Sequence, residues 1–445
     1  MEKTVKIRIP AGAEQILHRL EEKGFEAYVV VGCVRDSLLG REPHDWDITT
    51  SATPQQVKKI FQRTVDTGLK HGTVTVLLDR EPYEVTTYRI DGEYLDGRHP
   101  SGVTFTRSLR EDLQRRDFTI NAMAYSDSRG LQDCFGGLAD LEKGLIRAVG
   151  DPEKRFGEDA LRIMRAVRFA AQLGYAVEEE TLRAMKALAP TLSRISAERI
   201  AAELEKLLVS PHPEMIRMAW ESGITAVVLP EFDRCMETTQ NNPHHCYSVG
   251  EHTIHSLLQA RQDRVLRLTM LLHDFGKPAC KTTDDKGIDH FYGHPEKSAA
   301  LADQILRRLK YDNDTRRAVV RLVRFHDRKV RLTKPGVRKA VMEIGEDLFP
   351  LFLEVKDADL YAQSLYQRQE KVEEMAEIRR LYAQILEAGD CLSLRDLAVS
   401  GDDLIAAGMQ PGKELGLVLQ EMLRDVVDVP AHNDRDYLLQ RYLPS

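Results

Sequence analysis

No stretch of this chain restricts its fold as much as residues 29 to 50, Val29-Val-Val-Gly-Cys-Val-Arg-Asp-Ser-Leu-Leu-Gly-Arg-Glu-Pro-His-Asp-Trp-Asp-Ile-Thr-Thr50. The β-branched run Val29 to Val31 reads as a strand that turns at Gly32. Cys33 to Leu39 then reads as a short helix closed by Gly40. Beyond it stand Asp45 and Asp47, one residue apart, a spacing that on a strand puts both carboxylates on one face. Like charges held so close repel unless a divalent cation sits between them. Hard oxygen ligands of this kind suit Mg²⁺, which keeps several waters and completes its shell from phosphate oxygens. A glycine at the turn lets a triphosphate approach the backbone, and the helix start that follows favours anions. The chemistry implied is two-metal nucleotidyl transfer, one ion activating a hydroxyl and the other steadying a leaving pyrophosphate. A polar turn would carry D-x-D equally well, so the rest of the chain has to decide.

The pattern G-x-V-R-D followed by D-x-D-I resembles the head signature of the class II tRNA nucleotidyltransferase and bacterial poly(A) polymerase family. That resemblance assigns Asp45 and Asp47 to catalysis and Mg²⁺, and Gly32 and Arg35 to the nucleotide. The family usually shows two glycines before x-V-R-D. Here the first is Val31, which leaves Gly32 as the expected backbone contact.

A length of 445 residues is too much for one hydrophobic core and predicts about three modules. Charged residues make up 30% and mean hydropathy is negative, as in a soluble globular chain. No apolar run approaches the ~20 residues that span a bilayer, and the N-terminus lacks the apolar core of a signal peptide. The six cysteines form no C-x-x-C pair, which favours a reducing cytoplasm over a zinc ribbon or an exported fold. A net charge of −7 means that any RNA contact must come from local basic patches.

In order along the chain, residues 12 to 24 read as an amphipathic helix with Ile16, Leu17 and Leu20 on one face. Residues 54 to 61 read as a helix capped by Thr53 with Pro54 first, and strands follow near Thr73–Leu78 and Tyr83–Tyr88. Glu84 on the second strand is placed to be a third acid beside Asp45 and Asp47, although a solvent-facing Glu would read the same. Residues 89 to 103 are rich in Gly and turn formers and predict a mobile loop; the resemblance assigns such a loop to adding the final adenosine. Arg115-Arg-Asp-Phe-Thr-Ile-Asn-Ala122 matches the family's R-R-D-F-T-x-N-A. Arg115 and Arg116 offer planar forks for triphosphate oxygens, and Asn121 and Asp117 complete the nucleotide set. The D-x-x-G-G…D-L run from Asp133 to Leu141 resembles the hinge between head and neck.

A helical segment opening at Pro152 carries Glu158-Asp159-Ala-Leu-Arg162. Asp159 and Arg162 lie three apart, one turn along one face, where an ion pair worth a few tenths of a kcal/mol (~0.3) is common. In the resembling family the E-D-x-x-R element reads the incoming base, which assigns Asp159 and Arg162 to choosing CTP and ATP without a template. Arg165 and Arg168 then hold that pair or touch the triphosphate. Arg199 and Glu203, four apart, match the neck element and are expected to pair and brace it.

Eight of the 14 histidines fall between His244 and His326. His252…His273-Asp274…Asp359 resembles the metal-dependent HD phosphohydrolase domain, as do the local runs His273-Asp-Phe-Gly-Lys-Pro278 and His290-Phe-Tyr-Gly-His294. That resemblance makes His252, His273, Asp274 and Asp359 ligands of a second divalent transition metal, with Asp357 a near rival for Asp359. Residues 307 to 339 hold thirteen Lys/Arg against three acids, read as a phosphate-backbone patch for structured RNA in which Arg316, Arg317 and Arg321 make contacts. The C-terminal part reads as helices over 367–388, 401–408 and 412–426. Its Leu397-to-Gly412 run and Asn433 resemble the tail of tRNA nucleotidyltransferases that carry an HD domain.

These readings predict an α/β head with a mixed sheet over 1–148, followed by an all-α remainder. That remainder divides into a helical neck for RNA binding and nucleotide selection over 149–240, an HD domain over 241–365 and a tRNA-binding tail over 366–445. The expected activity is addition of C, C and A to the 3′ end of tRNA from CTP and ATP, in the cytoplasm, with no membrane and no evident protein partner. Poly(A) polymerase and an A-adding tRNA nucleotidyltransferase share the head. An HD phosphohydrolase with a vestigial head is the alternative of a different class, and the intact Asp45/Asp47 pair speaks against it.

Overall fold

The computed structural model describes residues 6–92 and 102–443, and the chain forms two compact units, Met1–Leu229 and Pro230–Ser445. In the first, the described residues open with nine strands, β1 (Ala27–Val30), β2 (Asp47–Thr50), β3 (Thr64–Gly68), β4 (Thr73–Leu78), β5 (Glu81–Thr87), β6 (Arg89–Asp91), β7 (Val103–Phe105), β8 (Met123–Ser126) and β9 (Gly130–Asp133), and a short parallel pair, β10 (Leu145–Ile146) and β11 (Ala176–Val177), follows. Seven of them make one sheet in the order β3-β4-β5-β2-β1-β8-β9. Only β2 and β5 run parallel; the other neighbours are antiparallel, so the sheet is mixed, as expected. β1 sits centrally with all four residues buried, which is why its sequence is continuously apolar rather than alternating. Tyr28 and Val30 pack with Tyr88, Leu113, Ala122 and Ala124.

Helix Ala11–Glu22 buries Ile16, Leu17 and Leu20 against this sheet's unit, and helix Pro54–Ile60 starts in a Thr53–Gln56 capping box. Helix Gly32–Leu38 follows β1 directly. The strand carrying the second acid begins at Asp47, opposite Val30, so Asp45 lies in the connection before it and the two do not share a strand face. β6 and β7 pair antiparallel; residues 93–101, the middle of the loop expected over 89–103, lie outside the described residues.

The helical segment from Pro152 is two helices, Pro152–Glu158 and Leu161–Leu173. Asp159 separates them with extended backbone (φ −144°, ψ 104°). Helix Ala197–Leu208 packs on the second of these.

The Pro230–Ser445 unit is helical apart from a two-stranded ribbon. Pro230 opens helix Pro230–Glu237, where a missing N–H costs nothing. One core gathers Leu322, Val337, Phe349, Phe352 and Ile378; a second, near the C-terminus, gathers Val399, Leu404, Met422, Val426 and Leu438. The tail helices are Arg368–Glu387, Gly401–Ala406 and Lys413–Asp428. Asn433 fastens the segment between the first and second of them, donating to Asp396 O and accepting from Ala398 N at 2.8 Å each.

Candidate functional site

In the first unit three acids gather where β2 begins. Asp47 is half-buried and Asp45 and Glu84 are exposed. Burial pushes the Asp47 carboxyl above its ordinary value, and the charges of Glu84 and Asp45 push it further, against the opposing pull of Arg116. Glu84 acts on Asp47 more strongly than Asp45 does. The parallel pairing of Ile48 with Val85 explains this, because it sets Glu84 beside Asp47 on the neighbouring strand. An anionic cluster left uncompensated in this way fits a hard divalent cation.

Val31, where the family pattern has glycine, takes φ 65° and ψ −124°. That is a conformation β-branched residues rarely adopt. The turn is therefore built as a glycine would build it, with a valine in place. Beyond it the face of Gly32 is open: an added Cβ would meet nothing nearer than the Arg35 guanidinium at 3.8 Å.

The arginines and acids behind this turn form one connected network. Asp112, fully buried, accepts from Arg115 at 3.0 Å and Arg116 at 3.1 Å. Arg116 keeps its Nε buried without a hydrogen bond. Asp117 accepts from Asn121 at 3.2 Å and from Arg165 at 2.8 Å. Burial alone would raise the Asp117 carboxyl, but the Arg165 guanidinium holds it well below the usual carboxylate range. Arg35 donates to Asn121 Oδ1 at 2.8 Å and lies over the Phe169 ring, which ties the helix after β1 to Leu161–Leu173.

Asp159 and Arg162 do not pair. The break in the helix turns Asp159 towards Arg199, whose guanidinium donates to both carboxylate oxygens at 3.3 and 2.7 Å. Arg162 instead donates to Glu158 at 2.6 Å and to the carbonyl oxygens of Arg155 and Arg115. The expected Arg199–Glu203 pair is also absent, because Glu203 accepts from Arg168 at 2.5 Å. Each member of that local pair is held by a residue from another element.

The second unit brings together the ends of five helices. Helix Val249–Gln259 supplies His252, and His273-Asp274 follow helix Arg264–Leu272. His294 opens helix His294–Arg308, His326 caps helix Asn313–Phe325, and Asp359 lies on helix Phe349–Ala362. The four expected ligands meet: His252 Nε2 is 2.9 Å from Asp359 Oδ1, 3.4 Å from His273 Nε2 and 3.6 Å from Asp274 Oδ2. Asp357 points elsewhere, paired with Arg379, so Asp359 is the acid of this cluster. His290 also stands apart, bonded to Asp284. Lys277 brings its ammonium to 2.7 Å from Asp274 Oδ2, yet neither oxygen of this buried carboxylate makes a hydrogen bond of good geometry. Buried polar atoms are seldom left so, and the donor set of imidazole and carboxylate fits a divalent transition metal.

Of the thirteen cations between 307 and 339, eight are in ion pairs, several with acids outside that window: Arg307 and Arg316 with Asp303, Arg308 with Glu231, Arg324 with Glu296. Arg317 pairs with Asp314, Arg328 with Glu343, Arg338 with Asp390 and Lys339 with Asp428. Arg321 is exposed.

Family comparison gives three matches along the chain. The Poly A polymerase head domain matches residues 27–147, the "Probable RNA and SrmB- binding site of polymerase A" matches 174–236, and tRNA nucleotidyltransferase domain 2 matches 291–441. A CCA-adding enzyme of Limosilactobacillus fermentum is 39% identical over 429 residues, 96% of this chain and 95% of that one. The chain belongs to the CCA-adding enzyme family. A Leuconostoc mesenteroides CCA-adding enzyme is 37% identical, over 96% of this chain and 94% of its own. Among solved structures, that of the Bacillus stearothermophilus CCA-adding enzyme in complex with CTP superimposes with a TM-score of 0.70. It is 30% identical and covers 97% of this chain and 96% of that one. The Thermotoga maritima CCA-adding enzyme complexed with tRNA shares the fold at TM-score 0.57 and 21% identity, over 98% and 96% of the two chains. The activity is that of a tRNA nucleotidyltransferase, and the mixed-sheet head followed by a helical body is the family's architecture.

Sequence reading of this CCA-adding family member missed several of the pairings that the fold makes at the sites. Arg199 holds Asp159, Glu158 holds Arg162, and Asp112 holds both Arg115 and Arg116. No periodicity could have shown the first, since forty positions separate the partners. His294 and His326 join the histidine cluster; the His290-to-His294 run had already marked the first, and the enrichment of histidine between 244 and 326 was the signal that pointed to the second. No helix among the described residues is long and apolar enough to cross a membrane.

Proposed function

We propose that this chain restores the 3′ end of tRNA in the cytoplasm by adding C, C and A from CTP and ATP without a template. The observation that carries the reading is full-length similarity: at 39% identity the chain spans 95% of a CCA-adding enzyme, and it shares its fold, at 30% identity, with a relative crystallised in complex with CTP. In this reading Asp45 and Asp47 hold Mg²⁺, with Glu84 adding charge beside them. Bound there, Mg²⁺ polarises the α-phosphate and stabilises the leaving pyrophosphate. The tRNA 3′-hydroxyl attacks the α-phosphorus, the α–β phosphoanhydride bond breaks, and pyrophosphate departs. Gly32 leaves room for the triphosphate against the backbone. Arg116, with a buried Nε that finds no partner, is placed to receive a phosphate oxygen, and Arg115 lies beside it on the same carboxylate.

Base choice falls to Asp159 and Arg162. The Asp159 carboxylate accepts from the exocyclic amine of C or A, and Arg162 donates to the base. Arg199 keeps Asp159 aimed, while Arg165 and Arg168 act as braces through Asp117 and Glu203. Rejection of U and G then comes from polar groups left unpaired, the strong form of discrimination. In the second unit His252, His273, Asp274 and Asp359 hold a divalent transition metal, and the cations between 307 and 339 contribute phosphate contacts to tRNA.

Purified protein incubated with tRNA lacking C-C-A, with CTP, ATP or both, tests the reading by sequencing of the 3′ ends. Complete C-C-A ends with both nucleotides and C-C ends with CTP alone are expected. Adenosine added only to tRNA already ending in C-C would make it an A-adding enzyme, and long adenosine tracts would make it a poly(A) polymerase.

A further inference from the structure

We propose that Phe169 is a positioning residue for the triphosphate: its ring seats the Arg35 guanidinium at the open face of Gly32 and so sets how tightly a nucleoside triphosphate is held. The proposal deepens the reading of Gly32 and Arg35 as triphosphate contacts and rests on it.

Three guanidiniums surround this one ring. The central carbon of Arg168 lies 3.7 Å from the ring centre, that of Arg35 5.2 Å and that of Arg165 5.4 Å. Phe118 meets the same ring edge-on, with centres 5.7 Å apart and planes at 80°. An aromatic face attracts a cation through its quadrupole, and such contacts occur roughly once per 70–80 residues. Phe169 is 4% exposed, so its bulk would serve a core under any apolar side chain. A leucine would fill much of that space and offer three cations nothing. Three of them on one buried ring therefore mark an arrangement that packing alone does not require.

Like charges gathered in this way have to be held. Burial lowers the Arg168 guanidinium from its ordinary value, and the neighbouring Arg165 charge adds to the effect. Each cation has its own acid: Arg35 donates to Asp36 at 2.9 Å from both Nε and Nη2, Arg165 to Asp117 at 2.8 Å and Arg168 to Glu203 at 2.5 Å. Those carboxylates belong to different elements, whereas Phe169 is common to all three cations. The acids also occupy N–H donors. The ring attracts each cation without consuming one, which leaves donors free for a ligand.

Arg35 is where this matters. Its Nη1 donates to Asn121 Oδ1 at 2.8 Å, and its Nη2 is the atom nearest the open face of Gly32, 3.8 Å from where a Cβ would stand. A phosphate oxygen entering that opening meets Nη2, a charge-assisted donor. The ring that seats Arg35 comes from helix Leu161–Leu173, seven residues beyond Arg162, which is about two turns along the same face. One helix thus carries Arg162, assigned to the base, and the ring behind Arg35, assigned to the phosphates. Its rigidity fixes the spacing between the two ends of the nucleotide.

The test titrates the full chain calorimetrically with CTP and, separately, with CMP, in the absence of tRNA so that no transfer occurs. Wild type is expected to bind CTP more tightly than CMP. Phe169→Leu should lose about fivefold in CTP affinity, the equivalent of ~1 kcal/mol, with CMP affinity within about twofold of wild type. Phe169→Met gives the same reading if the leucine variant is poorly folded. Phe169→Tyr, which keeps the ring, should hold both affinities within about twofold. Phe118→Leu removes the neighbouring ring and leaves the Phe169 face, so its CTP:CMP ratio should match wild type. Equal losses for CTP and CMP in Phe169→Leu, or a lower Tm with an unchanged ratio, would overturn the proposal and return Phe169 to core packing. A tyrosine variant as weak for CTP as the leucine variant, or a ratio lost equally in Phe118→Leu, would overturn it too. A wild type that holds CTP no more tightly than CMP would instead overturn the reading of Gly32 and Arg35 on which the proposal rests.

Discussion

Arg199 grips Asp159 with two guanidinium nitrogens, at 3.3 and 2.7 Å, from a helix forty residues along the chain. The two groups expected to share a helix turn, Asp159 and Arg162, are thereby separated and given different supports. A carboxylate whose outer lone pairs are taken by a planar fork has its remaining acceptor directions fixed, which is what selection between an amine and a carbonyl on a base requires.

Removing that grip should loosen base choice more than it slows the reaction. Arg199→Ala is expected to lower the CTP:UTP incorporation ratio by roughly tenfold, the size of about 1–3 kcal/mol of pairing discrimination. Arg199→Lys should recover only part of it, because a point charge does not replace a fork. Equal losses for all four nucleotides, with a lower Tm, would mean that the pair only stabilises the neck.

Asp47 gives a pH signature with a defined sign. Burial first, then Glu84 and Asp45, hold its carboxyl above the ordinary value. As pH rises through the ordinary aspartate range and then through the raised value, the metal-free folded state is the one that gives up its proton late. It therefore loses stability over that window, and the loss is complete once pH exceeds the raised value. Asp47→Asn should raise Tm at pH 7.5 without metal, abolish Tm gain on adding Mg²⁺, and abolish nucleotide incorporation. A wild-type Tm that is indifferent to Mg²⁺ would contradict the cluster's role.

Val31 stores strain that a glycine would release. Its φ of 65° costs about 1–3 kcal/mol for a β-branched residue, which offsets most of what Val31→Gly loses in packing and chain entropy. Thermal denaturation should place Val31→Gly within about 1 kcal/mol of wild type. Val34→Gly, three residues on and fully buried in a helix, should cost at least about 3 kcal/mol. Similar losses at both positions would show that the turn is relaxed.

The basic segment should contribute less to RNA binding than its composition suggests. Three phosphate contacts at Arg316, Arg317 and Arg321 would give a slope change of about 2.7 in log affinity against log salt. Arg316 and Arg317 are already engaged by Asp303 and Asp314. Replacing all three with glutamine should therefore change the slope by about 1, as filter binding across salt concentrations would show. A change near the full value would mean that tRNA displaces both acids.

The sequence by itself determined what depends on neighbours within a few residues. The apolar run of β1, the Thr53 cap and the helix stops in the tail are all local, and all stand in the structure where spacing put them; the D-x-D beside G-x-V-R-D was equally legible, but Asp45 falls outside the strand that Asp47 begins. It determined too that histidine and aspartate would meet in the second half, since His252, His273, Asp274 and Asp359 come together. Tertiary structure decided the pairings. Arg199 with Asp159, Arg168 with Glu203 and Glu84 beside Asp47 each join elements whose adjacency follows from packing and strand order, which no periodicity of 2 or 3.6 records. It also decided that Asp159 breaks its helix, that Val31 bends as a glycine would, and that His294 and His326 turn their Nε2 atoms to the far side of Asp274. Side-chain chemistry can be read from a linear chain, but which two side chains will share a proton, a charge or a metal depends on distances that exist only after the core has closed.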